Sequence, residues 1–117
     1  MRTLIVQFQP KRASSINVEA VVALFARVVG KIRSIRAFAY QKGNDRGPYI
    51  NFQLEVPAAR LFEAWSQIRA GALGHRTLGS SLRHSCIATC EGTHGWDNYL
   101  LLHHFDPKHK LDRLRDV

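Results

Sequence analysis

The chain has 117 residues, of which 45% are hydrophobic and 22% charged, as in an ordinary globular protein. These values predict one folded domain over residues 1–117 and exclude a disordered or fibrous chain. Seventeen Lys and Arg residues against nine Asp and Glu give a formal net charge of +8. Such a surplus favours an anionic partner, although it says nothing about the fold.

The first elements are a strand and a helix. Residues Thr3–Gln9 alternate between apolar and polar side chains, which predicts a strand that ends before Pro10. Asn17 is typical of a helix N-cap, and the apolar positions of Val18–Val29 recur at helical spacing. Gly30 is expected to end this helix.

A second strand, a turn and a third strand follow. Ile32–Tyr40 is predicted as a strand whose two faces are both mixed, and Lys42–Pro48 is rich in turn-forming residues. Tyr49–Val56 alternates most clearly, so its apolar residues are expected to point inward. Pro57 is expected to open a helix that ends near Ile68 or Ala70.

The C-terminal half contains a long connection and a hairpin. The glycine-rich and basic connection from Gly71 to Arg83 is expected to be functional or to hide an irregular helical turn. Leu82–Phe105 reads as a hairpin that turns at Thr93 and His94. Residues 106–117 are expected to form a charged tail or a short helix.

This order of elements predicts an α+β fold. Strand, helix, strand, strand, helix, strand matches the split β-α-β arrangement, with one strand added at the end. The expectation is therefore a ferredoxin-like βαββαβ sandwich with an additional C-terminal strand, in which two helices cover one face of an antiparallel sheet. Many unrelated functions share this topology, so it predicts no activity.

The two cysteines are expected to be free thiols. Cys86 and Cys90 lie four residues apart on a predicted strand, which separates them by about 13 Å, whereas a disulfide requires Cα atoms within about 7 Å. Free buried thiols suit a reducing compartment. No segment has the length of a transmembrane helix or of a signal peptide, so we expect a cytoplasmic protein without a membrane partner.

A metal site is the sharpest chemical hypothesis, but it is weak. The predicted hairpin register pairs Gly92 with Gly95 and places His84 opposite His103, with Cys86 close by. These three residues are weak candidates for a metal or an acid–base pair. Residues of this kind more often pack in the core than bind a metal, so no metal or other cofactor is predicted.

The sequence also lacks the common catalytic motifs. It contains no GxSxG, no phosphate-binding GxxxxGK[ST], no GxGxxG after a strand and no HExxH. Its carboxylates are few and scattered, and both cysteines alternate with apolar residues. A non-catalytic protein is therefore the expectation, and a small metal- or histidine-dependent enzyme is the least favoured alternative.

Two kinds of binding protein remain. The first is an inhibitor of the immunity, antitoxin or anti-defence type, which occludes an acidic or polyanion-binding partner such as a nuclease or another effector. The alternative is an RNA-binding domain, although the nearest approach to an aromatic RNA-binding motif, Arg36–Tyr40, is incomplete. The candidate contact residues are basic or aromatic: Lys31, Arg33, Arg36, Lys42, Arg46, Arg76, Arg83, Trp96 and Tyr99.

Overall fold

The structure is a computed structural model that describes residues 1–13 and 15–114. Its regular elements are β1 (Arg2–Phe8), α1 (Val18–Gly30), β2 (Ala37–Asn44), β3 (Pro48–Val56), α2 (Leu61–Ile68), α3 (Gly79–Arg83), β4 (Cys86–Gly92) and β5 (Gly95–His103). Short 3-10 turns occur at Pro10–Ala13 and Ala58–Arg60. A π-helical segment, Arg69–Leu73, continues α2.

The five strands form one antiparallel sheet in the order β2-β3-β1-β4-β5. The segment containing α1 connects β1 to β2, which lie on either side of β3. The segment containing α2 and α3 connects β3 to β4, which lie on either side of β1. The α+β class and the antiparallel sheet are confirmed.

One face of the sheet is buried under the helices. Alternate residues of the central strands are fully buried, including Leu4, Val6 and Phe8 of β1, and they form a single apolar cluster with residues of α1, α2 and α3. The ring of Phe25 in α1 stacks on Phe52 in β3 at a centroid distance of 4.1 Å. The period-two pattern of the sequence therefore decided which face became the core.

The first helix forms as its sequence predicts. The side-chain oxygen of Asn17 accepts a hydrogen bond from the backbone N–H of Ala20 at 3.1 Å, which satisfies one of the free donors of the first turn. The helix ends at Gly30, and its buried face comprises Val21, Leu24, Phe25 and Val29.

The position predicted for the second strand is wrong by about five residues. Ile32 is buried at the end of α1, where it contributes to the core, and β2 begins only at Ala37. The strand then continues through Lys42 to Asn44, so the turn to β3 is tighter than predicted. β-propensity alone placed Ile32 in a strand, but packing against the helices decided its conformation.

The expected irregular helical turn is present in the connection after α2. The π-helical segment follows α2 directly, and α3 precedes β4. In α2, Phe62 is 48% exposed, whereas Ala64 is buried. The helix starts at Leu61, after a 3-10 turn, and not at Pro57 as predicted.

The hairpin of β4 and β5 has the predicted turn but a different register. Gly92 pairs with Gly95, yet irregularities shift the pairing, so that Cys90 lies opposite Leu100 and Ala88 opposite His103. After β5, residues 106–114 form no regular helix. Asp112 instead binds the outer edge of β5 through two hydrogen bonds of 2.8 Å with the backbone of Leu101. The last three residues of the predicted tail lie outside the described residues.

Candidate functional site

The face of the sheet opposite the helices, called here the open face, carries two surface clefts. On β1 and β3 it presents mainly polar side chains, such as Gln7 and Asn51, which lie directly opposite each other. On β4 and β5 it presents Ile87, Thr89 and Leu101, which are only half-buried. An uncovered sheet face of this kind is accessible to a partner.

The first cleft, called the basic cleft, lies where β1 ends and β3 begins. It encloses about 620 Å³, which is within the usual range for ligand-binding clefts. Three cations and one carboxylate surround it, together with three side-chain amides and one tyrosine; the lining residues are Gln7, Gln9, Lys11, Arg12, Asp45, Arg46, Gly47, Pro48, Tyr49 and Asn51. The surplus of positive charge and of N–H donors suits an anionic group.

A chain of hydrogen bonds fixes the polar floor of the basic cleft. Arg12 Nε donates to Gln9 Oε1 at 2.6 Å, and Gln9 Nε2 donates to Gln7 Oε1 at 2.8 Å. Gln7 Nε2 in turn donates to Asn51 Oδ1 at 3.1 Å, across the β1–β3 pair. The guanidinium of Arg12 also lies 3.6 Å from the ring centroid of Phe105. These contacts hold the donors in place before any ligand binds.

The turn between β2 and β3 brings Arg46 to this cleft in an unusual conformation. Arg46 has a φ of 59°, and Gly47 has a φ of 148°. The N–H of Gly47 donates to the side chain of Asn44 at 3.3 Å, which supports the turn. A left-handed conformation costs a non-glycine residue about 1–2 kcal/mol. Such local strain clusters at functional positions, which makes Arg46 a candidate contact residue.

The second cleft, called the aromatic cleft, lies on β4 and β5. It encloses about 410 Å³ and is lined by Ile87, Thr89, Trp96, Tyr99, Leu101, His104 and His109. Trp96 is 42% exposed and Tyr99 is 55% exposed, although both are large and apolar enough to favour burial. The rings of His104 and His109 stack at 3.7 Å. Flat, exposed rings at the edge of a cleft suit planar ligand groups.

The two clefts are neighbours on one surface. Gln7 lines the basic cleft and Ile87 the aromatic cleft, and these residues lie directly opposite each other in the β1–β4 pair. Phe105, which Arg12 covers, also contacts His104 of the aromatic cleft at a centroid distance of 4.4 Å. The open face thus has cations at one side and aromatic rings at the other.

The structure does not bring the predicted basic residues together into one patch. Lys31 caps the end of α1, Arg33 and Arg36 lie in the connection that follows, and Arg46 lies beyond the far end of β2. The eight residues of β2 separate Arg36 from Arg46 by about 26 Å. Lys42 is exposed on the edge strand β2.

The remaining predicted cations have separate roles. Arg83 Nη1 donates to the backbone oxygen of Leu73 at 2.5 Å, which ties α3 to the π-helical segment. Arg76 is exposed in the loop between them, next to His75. His75 and Lys31 line a third cleft, of about 430 Å³, between the helices. Of the predicted set, Arg46 lines the basic cleft, and Trp96 and Tyr99 line the aromatic cleft.

The incomplete RNA-binding motif at Arg36–Tyr40 is on the wrong side of the sheet. Phe38 and Tyr40 both pack against Phe52 on the helix-covered face, with ring centroids 6.3 Å and 6.1 Å away. On the open face, Tyr49 lines the basic cleft, and Trp96 and Tyr99 line the aromatic cleft. The sequence of β2 alone does not predict which face of the sheet Phe38 and Tyr40 occupy, because that face is fixed by the register of pairing with β3.

Sequence reasoning also missed Lys11, Arg12, Gln7 of β1 and Gln9, the residue after that strand. Lys11 and Arg12 lie in the 3-10 turn that follows, and the side chains of Gln7 and Gln9 are hydrogen-bonded to each other. Arg46 lies more than thirty residues further along the chain. The alternation in β1 was the available signal, but only the β1–β3 pairing shows that these residues meet.

The weak metal candidates do not form a site. His103 pairs with Ala88 and donates from Nε2 to the backbone oxygen of Arg83 at 2.9 Å, while His84 follows the end of α3. Cys86 is fully buried, and burial raises its pKa to about 12. Metal binding needs a thiolate, which burial disfavours here. Across residues 1–13 and 15–114, no group of three His, Cys, Asp or Glu side chains is placed to hold a metal ion.

Burial shifts the pKa values of both thiols and of two histidines. Cys90 is buried, and burial raises the pKa of its thiol to about 11. Burial lowers the pKa of His103, an effect that its hydrogen bond to the Arg83 carbonyl partly offsets. Burial and the neighbouring His109 lower the pKa of His104. Cys86, Cys90, His103 and His104 are therefore uncharged at neutral pH.

Comparison with known proteins adds no family. The chain matches no protein-family model, and no curated protein or solved structure resembles it at a significant level. Among the helices of the described residues, none combines the length and the apolar composition that crossing a membrane requires.

Proposed function

We propose that this protein is a non-catalytic binding protein that occludes an anionic surface of another protein, as an immunity, antitoxin or anti-defence protein does. The observation that carries the proposal is unpaired positive charge. Within the described residues one ion pair is formed, between the exposed Arg60 and Glu63, although the chain has 17 Lys and Arg. Cations whose charge is not neutralised by an ion pair attract acidic surfaces and speed up encounter.

We further propose that the fold is a ferredoxin-like sandwich with an additional C-terminal strand. Each helical connection passes over one intervening strand, as in the split β-α-β arrangement, and β5 extends the sheet beyond β4. Such a fold leaves one sheet face free for a partner. The two free, buried thiols support a reducing, cytoplasmic setting.

The test is affinity capture from the source cell extract with two variants that each lose two positive charges. Lys11→Gln with Arg46→Gln alters the basic cleft, whereas Arg27→Gln with Arg69→Gln alters exposed cations in the helical layer. We expect one acidic protein to bind the native chain and the second variant, in equimolar amounts, but not the first. Equal capture by all three proteins, or none by any, would contradict the proposal.

A second candidate function, single-stranded nucleic-acid binding, is favoured by one observation. Cations and exposed aromatic rings lie on the same open face, in two neighbouring clefts. Proteins that bind single strands combine these two features.

A further inference from the structure

We infer that the open face binds a nucleotide unit, with the phosphate in the basic cleft and the base against the aromatic cleft. This inference rests on the second candidate function and gives it a place on the molecule. It also assigns roles to Lys11, Arg12 and His104.

The basic cleft has the chemistry that a phosphate requires. Arg12, Lys11 and Arg46 supply three cations, of which Asp45 offsets one. The side-chain amides of Gln7, Gln9 and Asn51 are already aligned by hydrogen bonds with one another. A phosphate oxygen accepts several charge-assisted hydrogen bonds, so an aligned set of donors loses little side-chain entropy on binding.

The aromatic cleft has the chemistry that a base requires. Trp96 and Tyr99 present exposed rings, and the stacked imidazoles of His104 and His109 flank the same cleft. Every base has a flat face, so such stacking is strong but tolerant of sequence. Ile87 and Leu101 provide an apolar floor beneath the rings.

The spacing of the clefts suits one extended ligand. From β3 to β5 the open face spans three strand spacings, about 14 Å. Gln7 and Ile87 form the seam between the clefts. A ligand with an anionic end and a flat aromatic end therefore complements both clefts, whereas a polyglutamate peptide, which has no aromatic group, complements the basic cleft alone.

The test uses the full chain and fluorescent eight-nucleotide uridine and adenine oligomers, with adenosine monophosphate and an octaglutamate peptide as competitors. We expect oligomer binding that weakens with salt. For Lys11→Gln with Arg46→Gln, affinity should fall at least tenfold, and the slope of log affinity against log salt should become shallower by about 1.4. Arg27→Gln with Arg69→Gln removes the same charge from the helical layer and should leave that slope within about 0.5 of the native value.

The two tryptophans provide an independent reading of the aromatic cleft. Trp65 is 5% exposed in the core, whereas Trp96 is 42% exposed in the cleft. Bound oligomer should therefore quench the fluorescence of the native chain but not of Trp96→Phe. Tyr99→Leu, which keeps an apolar side chain, should weaken binding roughly fivefold or more.

Arg46→Gly is a control that separates weaker binding from loss of folding. Glycine relieves the positive φ at this position, so the variant should unfold at a urea concentration no lower than the native chain while binding the oligomers more weakly. Competition by adenosine monophosphate would identify a free nucleotide as sufficient, and competition by oligomers alone would identify a single strand.

Three results would overturn the inference: no oligomer binding at low salt, affinity unchanged by Lys11→Gln with Arg46→Gln, or no quenching through Trp96. If octaglutamate binds and the oligomers do not, the nucleotide inference fails while the proposed acidic protein target stands.

Discussion

Replacing Gly92 with Ala tests the bulged hairpin that carries Trp96 and Tyr99. An ideal Cβ at Gly92 would overlap the backbone oxygen of Asn98 and lie 2.5 Å from its side-chain oxygen. Asn98 Oδ1 accepts the N–H of His94 at 3.1 Å, so this overlap also acts on the hairpin turn. Because backbone atoms are involved, rotation of one flexible side chain does not relieve the clash.

The expected loss of stability for Gly92→Ala can be compared with the effect of the same substitution at Gly30. Forcing an extra methyl group into a packed position costs about 1–3 kcal/mol. Gly30, the last residue of α1, has no atom within 4 Å of an ideal Cβ. Ala there should stabilise the protein by about 0.5 kcal/mol, since it lowers the entropy of the unfolded chain. The same Gly→Ala substitution is thus expected to destabilise the protein at position 92 and to stabilise it at position 30.

Urea unfolding followed by circular dichroism measures both variants. We expect the transition midpoint to fall for Gly92→Ala and to rise for Gly30→Ala, with unchanged slopes. If Gly92→Ala unfolds at the native urea concentration, Asn98 does not lie over Gly92 and the described β4–β5 register is wrong. Destabilisation by Gly30→Ala would show that Gly30 is not helical.

Three further predictions concern the helix cap, the thiols and the histidines. Asn17→Ala should lower the free energy of unfolding by about 1 kcal/mol in urea titration, because it removes the acceptor for the Ala20 N–H. Asn17→Ser should retain most of the native stability, because a serine hydroxyl can also accept this hydrogen bond. Equal losses of stability for both variants would contradict a capping role. With pKa values of about 12 for Cys86 and about 11 for Cys90, at most roughly one thiol in a thousand is ionised at pH 8, so an aromatic disulfide reagent should label neither until denaturant is added; rapid labelling of the native chain would show that a thiol is exposed. Since the pKa values of His103 and His104 are lowered in the folded state, the unfolded chain binds more protons as the pH falls through 6.5, and the melting temperature should decrease between pH 8 and pH 5, less so for His103→Asn; an identical profile for that variant would remove His103 from this dependence.

The sequence by itself determined the elements whose side-chain pattern and end signals agree. Alternation placed Leu4 and Phe8 on the buried face of β1 and Phe52 on that of β3, and the cap at Asn17 fixed the start of α1. It also predicted that Cys86 and Cys90 would remain free, because the distance along a strand depends only on backbone geometry.

Tertiary structure alone decided the features that depend on strand order and on the register of strand pairing. The bulges of the β4–β5 pair moved His103 away from the position opposite His84, and pairing with β3 turned Phe38 and Tyr40 toward the core. The basic cleft arises because β1 and β3 are neighbours, which brings Arg46 to Lys11 and Arg12 across more than thirty residues of chain. Local pattern specifies faces and ends, whereas register and strand order come from packing the whole chain into one core.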